Sequence, residues 1–156
     1  MRLAVLALIA GLALVAGATA AEPLKSGRAE FVKRADNICQ PQRNDAKRLI
    51  ANGVRLLSKK HPRVQAAGRE FVRAYRELRR GYNRVAGLPR PRGDRRRIAK
   101  WLRRERAATA TGVRSAKALR RKRFERAERL SDEAAALEQR AERPVRNFDF
   151  EECRPI

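Results

Sequence analysis

The stretch Arg34-Ala-Asp-Asn-Ile-Cys-Gln40 and the stretch Phe148-Asp-Phe-Glu-Glu-Cys153 each hold one of the chain's two cysteines. The chain opens with an export-type segment, and exported cysteines meet oxidants, so we predict a Cys39–Cys153 disulfide. In the chain-entropy model, a bridge between residues so far apart stabilises the fold by roughly 4 to 5 kcal/mol before native strain is subtracted. Two free thiols, or a bond to another protein, are the alternatives. Redox catalysis is disfavoured because the sequence has no Cys-x-x-Cys pair.

The first 20 residues have the three parts of a secretory signal peptide. Met1 and Arg2 supply a positive start, an apolar run extends from Leu3 to Ala16, and Ala18-Thr-Ala20 is a small-x-small cleavage site. The run falls short of the roughly 20 residues that span a bilayer, and no cysteine directly follows it for lipid attachment. We therefore expect cleavage, a disordered leader at 21–27, and a secreted or extracytoplasmic protein without a transmembrane or lipid anchor.

Two amphipathic helices are predicted for the first half of the mature region, because its apolar residues recur at steps of three and four. The first should begin between Ser26 and Arg28, with a kink or brief break at Pro41, where proline removes a backbone donor. The second should follow Pro62 and continue to Val85, since proline is tolerated in a first helical turn. Their stripes are Phe31, Ala35, Ile38, Ala46, Leu49, Gly53 and Leu57, then Val64, Ala67, Phe71, Tyr75, Leu78, Tyr82 and Val85.

The second half is predicted to hold two more helices after the connector Leu88–Asp94, with Asp94 as the N-cap of the third. The apolar phase runs from Ile98 to Ala141 without a slip, so periodicity alone does not separate one long helix from two. A single helix of that length would leave much of its apolar stripe uncovered in a small domain. We therefore place a turn at Arg120–Arg123.

Short connections favour an up-and-down four-helix bundle, so the sequence predicts an all-α domain over residues 28–156. Pro144 should end the fourth helix, and residues 144–156 should form an irregular tail. The tail is long enough to bring Cys153 to Cys39, because ten extended residues span up to about 33 Å. Phe148 and Phe150 would then lie over the seam of the bundle, which the disulfide would close.

The two cysteine segments resemble those of a group of small exported actinobacterial proteins of unknown function. In this group an aromatic residue precedes Ala-Asp-x-Ile-Cys near the mature N-terminus, and the chain closes with aromatic-Gly-Phe-x-x-Cys. Asp149 stands where glycine is usual, and Pro41 departs from the pattern. The resemblance implies a helical bundle with a disulfide and implies no activity. The matching residues are Phe31, Ala35-Asp-Asn-Ile-Cys39, Phe148-Asp-Phe-Glu-Glu-Cys153, Leu88-Pro89 with Asp94, and Trp101-Leu102.

The chain carries 39 Lys and Arg against 17 Asp and Glu, a formal net charge of +22. A charge this far from zero attracts polyanions, and arginine suits phosphate and carboxylate recognition. The arginine excess is also typical of a GC-rich genome. Two basic clusters are the predicted anion-binding residues. They are Arg90, Arg92, Arg95, Arg96 and Arg97 at the second connector, and Arg120, Arg121, Lys122 and Arg123, flanked by Lys117 and Arg126, at the third.

The favoured hypothesis is a structural or binding protein that associates electrostatically with anionic cell-envelope polymers or anionic lipid headgroups. Extracellular nucleic-acid binding is the alternative. It has less support, because few aromatic residues interleave the basic ones and no groove-reading motif is present. Uptake of a small apolar ligand along the bundle seam is a further hypothesis, which a large cavity would support.

No catalytic centre, metal or cofactor is predicted. The single histidine, His61, lies at a helix boundary, and no metal- or haem-binding spacing is present. Most acidic residues lie three or four positions from an arginine and indicate surface ion pairs, while a hydrolase built on two carboxylates is the alternative. Asp36 is expected to bond within the bundle end, with Arg154 as a candidate partner, or else to contact a ligand. Arg92-Gly-Asp94 matches an adhesion tripeptide, but helix capping by Asp94 accounts for it.

Overall fold

The computed structural model describes residues 27–154, and over that range it contains four α-helices, two short 3₁₀ turns and no β-strand. The predicted all-α class is confirmed for these residues. The predicted signal peptide, most of the predicted leader, and residues 155–156 lie outside the described range. The helices are α1 (Arg28–Leu57), α2 (Val64–Val85), α3 (Arg95–Arg120) and α4 (Phe124–Glu142), and the 3₁₀ turns are Arg92–Asp94 and Arg143–Val145.

The helix α1 continues through Pro41 without interruption, so the predicted alternative of a break there is wrong. Side chains on both sides of the proline are tied to the C-terminal tail, namely Asp36 and Cys39 before it and Arg43 after it. These tertiary contacts outweigh the roughly 3 kcal/mol that proline costs a helix interior.

The predicted turn between the third and fourth helices is confirmed, because α3 ends at Arg120 and α4 begins at Phe124. Lys122 has a left-handed backbone with φ of 58°. Its N–H donates to the carbonyl of Leu119 (2.8 Å), and the N–H of Arg123 donates to the carbonyl of Ala118 (3.0 Å). This pair of bonds is the Schellman motif, which usually has glycine at the left-handed position. Because lysine takes that position here, the sequence carries no glycine signal for the turn.

Consecutive helices pack against one another, α1 on α2, α2 on α3 and α3 on α4. They run antiparallel: Gly53 near the end of α1 adjoins Phe71, whereas Gln42 adjoins Gly81 further along α2. Within the described residues, α1 is not closely packed on α4. The C-terminal tail instead contacts α1, through Phe31, Asp36 and Cys39. None of the described helices has the length and apolarity that crossing a bilayer requires.

The largest cluster of buried side chains surrounds Trp101 of α3, where α1, α2 and the tail meet. The Phe150 ring stacks on Trp101 with centroids 4.7 Å apart, and it meets the Phe31 ring edge-on at 6.3 Å. Phe148 and Phe150 are 2% and 4% exposed, so the tail is part of the core. Burying a large aromatic side chain stabilises a fold by roughly 1.5 to 3 kcal/mol. The tail is therefore anchored by packing as well as by the disulfide.

Candidate anion-binding surface

The tail is bound to α1 by a disulfide and by a carboxylate. Cys39 and Cys153 are bonded, with Cα atoms 5.2 Å apart, as predicted. Asp36 accepts hydrogen bonds from the backbone N–H groups of Glu151 (3.0 Å), Glu152 (3.0 Å) and Cys153 (2.9 Å). The prediction of a structural bond for Asp36 is confirmed, but its partners are backbone donors and the suggested partner Arg154 is wrong. Three hydrogen bonds to one carboxylate fix the position of residues 151–153 of the tail on α1.

Asp149 lies at a turn in the tail, between Phe148 and Phe150. Its φ is 54°, in the left-handed region that favours glycine. Aspartate is among the residues that tolerate this conformation. The tail therefore keeps the turn that brings Phe148 and Phe150 into the core.

Asp94 directly precedes α3, at the predicted N-cap position, but its side chain makes no capping hydrogen bond. Its two oxygens accept instead from Arg28 at 2.8 and 3.0 Å, and Asp94 also pairs with Arg97 at 3.4 Å. The hydrogen bond from Arg28 is the main cause that lowers the pKa of Asp94. Asp94 is thus the N-cap residue by position, as predicted, but its carboxylate binds a cation from α1 and does not cap the helix. Asp94 is only 5% exposed, so the Arg92-Gly-Asp94 tripeptide does not present its carboxylate to solvent.

The first basic cluster divides into structural and free arginines. Arg97 donates to the Pro144 carbonyl (2.8 Å) and to the Asn147 side chain (2.6 Å), and its guanidinium lies 5.3 Å from the Phe148 ring centroid. Arg90 donates to the Ala86 carbonyl. Both therefore help to hold the fold. The exposed members of the cluster are Arg92, Arg95 and Arg96.

A basic groove lies between the start of α3 and the end of α4. It encloses about 520 Å³, and no carboxylate is among its lining residues. The structure thus brings Arg96 and Arg97 of the predicted cluster beside four cations that the sequence did not group with them, two from α3, one from α4 and one from the 3₁₀ turn after α4. The lining residues, which we call the α3–α4 groove, are Arg96, Arg97, Lys100, Arg104, Arg140, Arg143 and Pro144.

The second basic cluster surrounds the turn between α3 and α4. A small pocket of about 120 Å³ lies there, lined by Arg114, Lys117, Ala118, Arg121, Arg123 and Arg126. Arg120 and Lys122 are exposed beside it. Along α3, Arg104 of the groove and Arg114 of this pocket are ten residues apart, which corresponds to about 15 Å of helix. The two predicted clusters are therefore separate surfaces.

Sequence reasoning missed Glu105, which is 1% exposed in the core of α3. One of its carboxyl oxygens accepts from the indole N–H of Trp101 at 3.1 Å. Burial raises the pKa of Glu105 to about 8, with the charge of Glu138 adding to the increase and the Trp101 hydrogen bond opposing it. A signal was present, because Glu105 occupies the helical step missing between Leu102 and Ala108 in the apolar stripe.

Glu105 also lines a cavity of about 250 Å³ beneath the tail, together with Glu142, Asp149 and Phe150. Burial raises the pKa of the neighbouring Glu138 and Tyr82 as well. Among the described residues, no three potential ligands are grouped so that they could hold a metal ion. With its pKa raised to about 8, Glu105 holds its proton more tightly than an exposed glutamate does, and its carboxyl group accepts the hydrogen bond from the Trp101 indole.

No family model, curated protein or solved structure matches the chain. The function is therefore argued from the chemistry of these surfaces. Within 27–154, the Lys and Arg residues number all 39 of the chain except Arg2 and Lys25. Only seven of them have a carboxylate partner among the described residues. Most of the positive charge is thus open to solvent and to anions.

Proposed function

We propose that the protein is a non-enzymatic, extracytoplasmic binding protein that holds anionic cell-envelope polymers by electrostatic attraction. In this proposal a signal peptide at 1–20 is cleaved, and the helices form an up-and-down bundle. The α3–α4 groove is its principal site, because it gathers cations of α3, of α4 and of the 3₁₀ turn after α4 around an open channel, and Arg96, Lys100 and Arg143 among them form no ion pair with another described residue. Phosphate or carboxylate groups spaced along a flexible chain would suit such a channel, and arginine can bind them with two parallel hydrogen bonds.

The observation that supports this proposal is the lack of any carboxylate in the lining of the groove. A cationic surface that serves only solubility is normally interspersed with acidic side chains, as it is on the outer face of α2, where Arg73 pairs with Glu70 and Arg80 pairs with Glu77. In the groove the cations repel one another. An anion would relieve that repulsion, and salt would weaken its binding.

The test is to measure binding of a fluorescent poly(glycerol phosphate) chain to the disulfide-bonded protein at low and at physiological salt. The variant Arg96→Gln/Lys100→Gln/Arg143→Gln removes three groove cations that make no described protein contacts. Lys47→Gln/Arg76→Gln/Arg79→Gln removes three exposed cations from α1 and α2 and is the charge-matched control. We expect the groove variant to bind about tenfold more weakly and the control to lose much less.

Equal losses in both variants would show that bulk charge alone drives binding, and the assignment of the groove would be wrong. Affinity that does not change with salt would remove the electrostatic basis of the proposal. Preference for duplex DNA over the phosphate polymer at equal charge would favour nucleic-acid binding instead.

A further inference from the structure

We propose that the end of the molecule opposite the α3–α4 groove docks onto an anionic lipid bilayer, with Phe124 inserted among the headgroups. This end comprises the α1–α2 connector, residues 58–63, and the turn 121–123 with Phe124. We call it the Phe124 pole. It is a second surface and does not depend on polymer binding in the groove.

Phe124 is unusual among the described phenylalanines. It is 55% exposed, whereas Phe31, Phe148 and Phe150 are each at most 4% exposed. Apart from Phe124, Val54 is the only large apolar side chain described as exposed. Phe124 is the first residue of α4, so the fold places its ring at the tip of a helix. Moving an aromatic side chain in this position from water into the interfacial region of a bilayer lowers its free energy.

The two connectors belong to the same pole. A surface cleft is lined jointly by Pro62 and Arg63 of the first connector, by Arg69 of α2, and by Lys122 and Phe124 of the turn. The backbone of α2 also closely approaches the end of α3, since a Cβ added to Gly68 would lie 2.8 Å from the backbone nitrogen of Arg120.

Cations lie on both connectors of the pole and in the cleft beside the ring. All of them are exposed, and none forms an ion pair with another described residue. Residues 58–63 and 121–124 include no acidic side chain, and the exposed Glu125 is the single acidic residue directly next to Phe124. The cations of the pole are Lys59, Lys60, Arg63, Arg121, Lys122 and Arg123, and the exposed Arg69 of α2 and Arg126 of α4 lie close to them in sequence or in the shared cleft.

The combination of charge and exposed ring favours a bilayer over a polymer. A polyanion in water needs cations only and gives an exposed phenylalanine no apolar surroundings. Anionic lipid attracts each cation near its surface and also accepts an apolar ring, so both features are used at once. Long Lys and Arg side chains can keep their charged ends among the headgroups while the ring lies deeper.

The experiment measures co-sedimentation of the disulfide-bonded protein with vesicles of phosphatidylcholine, with and without phosphatidylglycerol. We expect binding only when the anionic lipid is present. Phe124→Ser should weaken it about tenfold, because the buried apolar area is lost. Arg63→Gln/Arg69→Gln should weaken it further, by about fivefold for each charge removed. Arg76→Gln/Arg79→Gln, far along α2 from the pole, is the charge-matched control and should bind nearly as the original protein does.

Phe124→Trp adds a readout of insertion. Its emission should shift to shorter wavelength on adding anionic vesicles, whereas the emission of the original protein, from buried Trp101, should not change. Unchanged vesicle binding by Phe124→Ser, or no shift in Phe124→Trp, would overturn the proposal. The groove variant Arg96→Gln/Lys100→Gln/Arg143→Gln should keep its vesicle binding. If poly(glycerol phosphate) fails to bind while vesicles do, the proposed polymer function is wrong and the docking surface stands.

Discussion

Glu105 follows Trp101 by one turn of α3. Its buried carboxyl group is hydrogen-bonded to the Trp101 indole and to the Tyr82 side chain. Because its pKa is raised from 4.5 to about 8, the folded state holds this proton more tightly than the unfolded state does. As pH rises above 4.5, the unfolded chain ionises first, so this group destabilises the fold progressively until about pH 8. This buried carboxyl group therefore makes the protein more stable at mildly acidic pH than at alkaline pH.

We expect Glu105→Gln to remove this loss. At about pH 9 the variant should be more stable than the original protein, by an amount on the order of 5 kcal/mol, while at about pH 5 the two should be similar. Urea unfolding at both pH values measures the difference. Glu128→Gln changes an exposed carboxylate and should keep the original pH dependence. A Glu105→Gln variant that also keeps it would contradict the buried-acid assignment.

The Asp36 carboxylate accepts three hydrogen bonds from backbone N–H groups of the tail. Asp36→Asn should therefore lower the free energy of unfolding by about 2 kcal/mol. The amide has one acceptor oxygen and turns an NH₂ group toward a backbone donor. Asp45→Asn removes an exposed pair with Arg48 and should cost less than about 0.5 kcal/mol. Thermal unfolding at neutral pH compares them, and equal effects would show that Asp36 does not anchor the tail.

At the scale of the helices, two glycines of α2 lie where this helix packs against others: Gly68 faces the end of α3, and Gly81 faces α1. A Cβ at Gly68 would meet backbone and Cβ atoms of Arg120 at 2.8 to 2.9 Å, whereas a Cβ at Gly81 would meet Gln42 at an ordinary 3.6 Å. Gly68→Ala should therefore destabilise the protein by about 1 to 3 kcal/mol. Gly81→Ala should stabilise it by up to about 1 kcal/mol, because alanine favours helix. Urea unfolding measures both effects. The midpoint of Gly68→Ala should fall below that of the original protein and the midpoint of Gly81→Ala should rise above it, and shifts in the same direction would contradict this packing.

The tail acts as a fifth packing element, so its covalent tie contributes to the stability of the whole bundle. Cys39→Ser/Cys153→Ser should lower the free energy of unfolding by about 2 to 5 kcal/mol. Since Phe150 stacks on Trp101, freeing the tail should also move Trp101 emission to longer wavelength. A double variant with the original emission and stability would show that packing alone holds the tail.

At the scale of the whole molecule, a net charge of +22 makes the folded chain repel itself. Raising NaCl from about 0.01 M to about 0.15 M should therefore increase the free energy of unfolding by about 1 to 2 kcal/mol, because the screening length falls. Urea unfolding in the two buffers is the measurement. Lys47→Gln/Arg76→Gln/Arg79→Gln, which removes repulsive charge, should respond less to salt. Stability that falls with salt would mean that attractive pairs dominate.

Much of the secondary structure was predictable, because helix periodicity and proline positions are local properties of the chain. The bounds of α2 and the turn before Phe124 followed from apolar spacing and from the length that a small core can cover. Pro41 shows the limit of such reasoning: a helix breaker was overridden by the tail contacts of Asp36, Cys39 and Arg43.

The sequence by itself determined the helical periodicity and the cationic character, and it predicted the pairing of Cys39 with Cys153. Only the tertiary structure decided that Asp94 binds Arg28, that Glu105 is buried, and that arginines of α3 and α4 line one groove while Phe124 stays exposed. The physical reason is that spacing along the chain sets which face of a helix a residue occupies. What a face contacts depends on how the helices and the tail pack, and that packing brings together residues far apart in sequence.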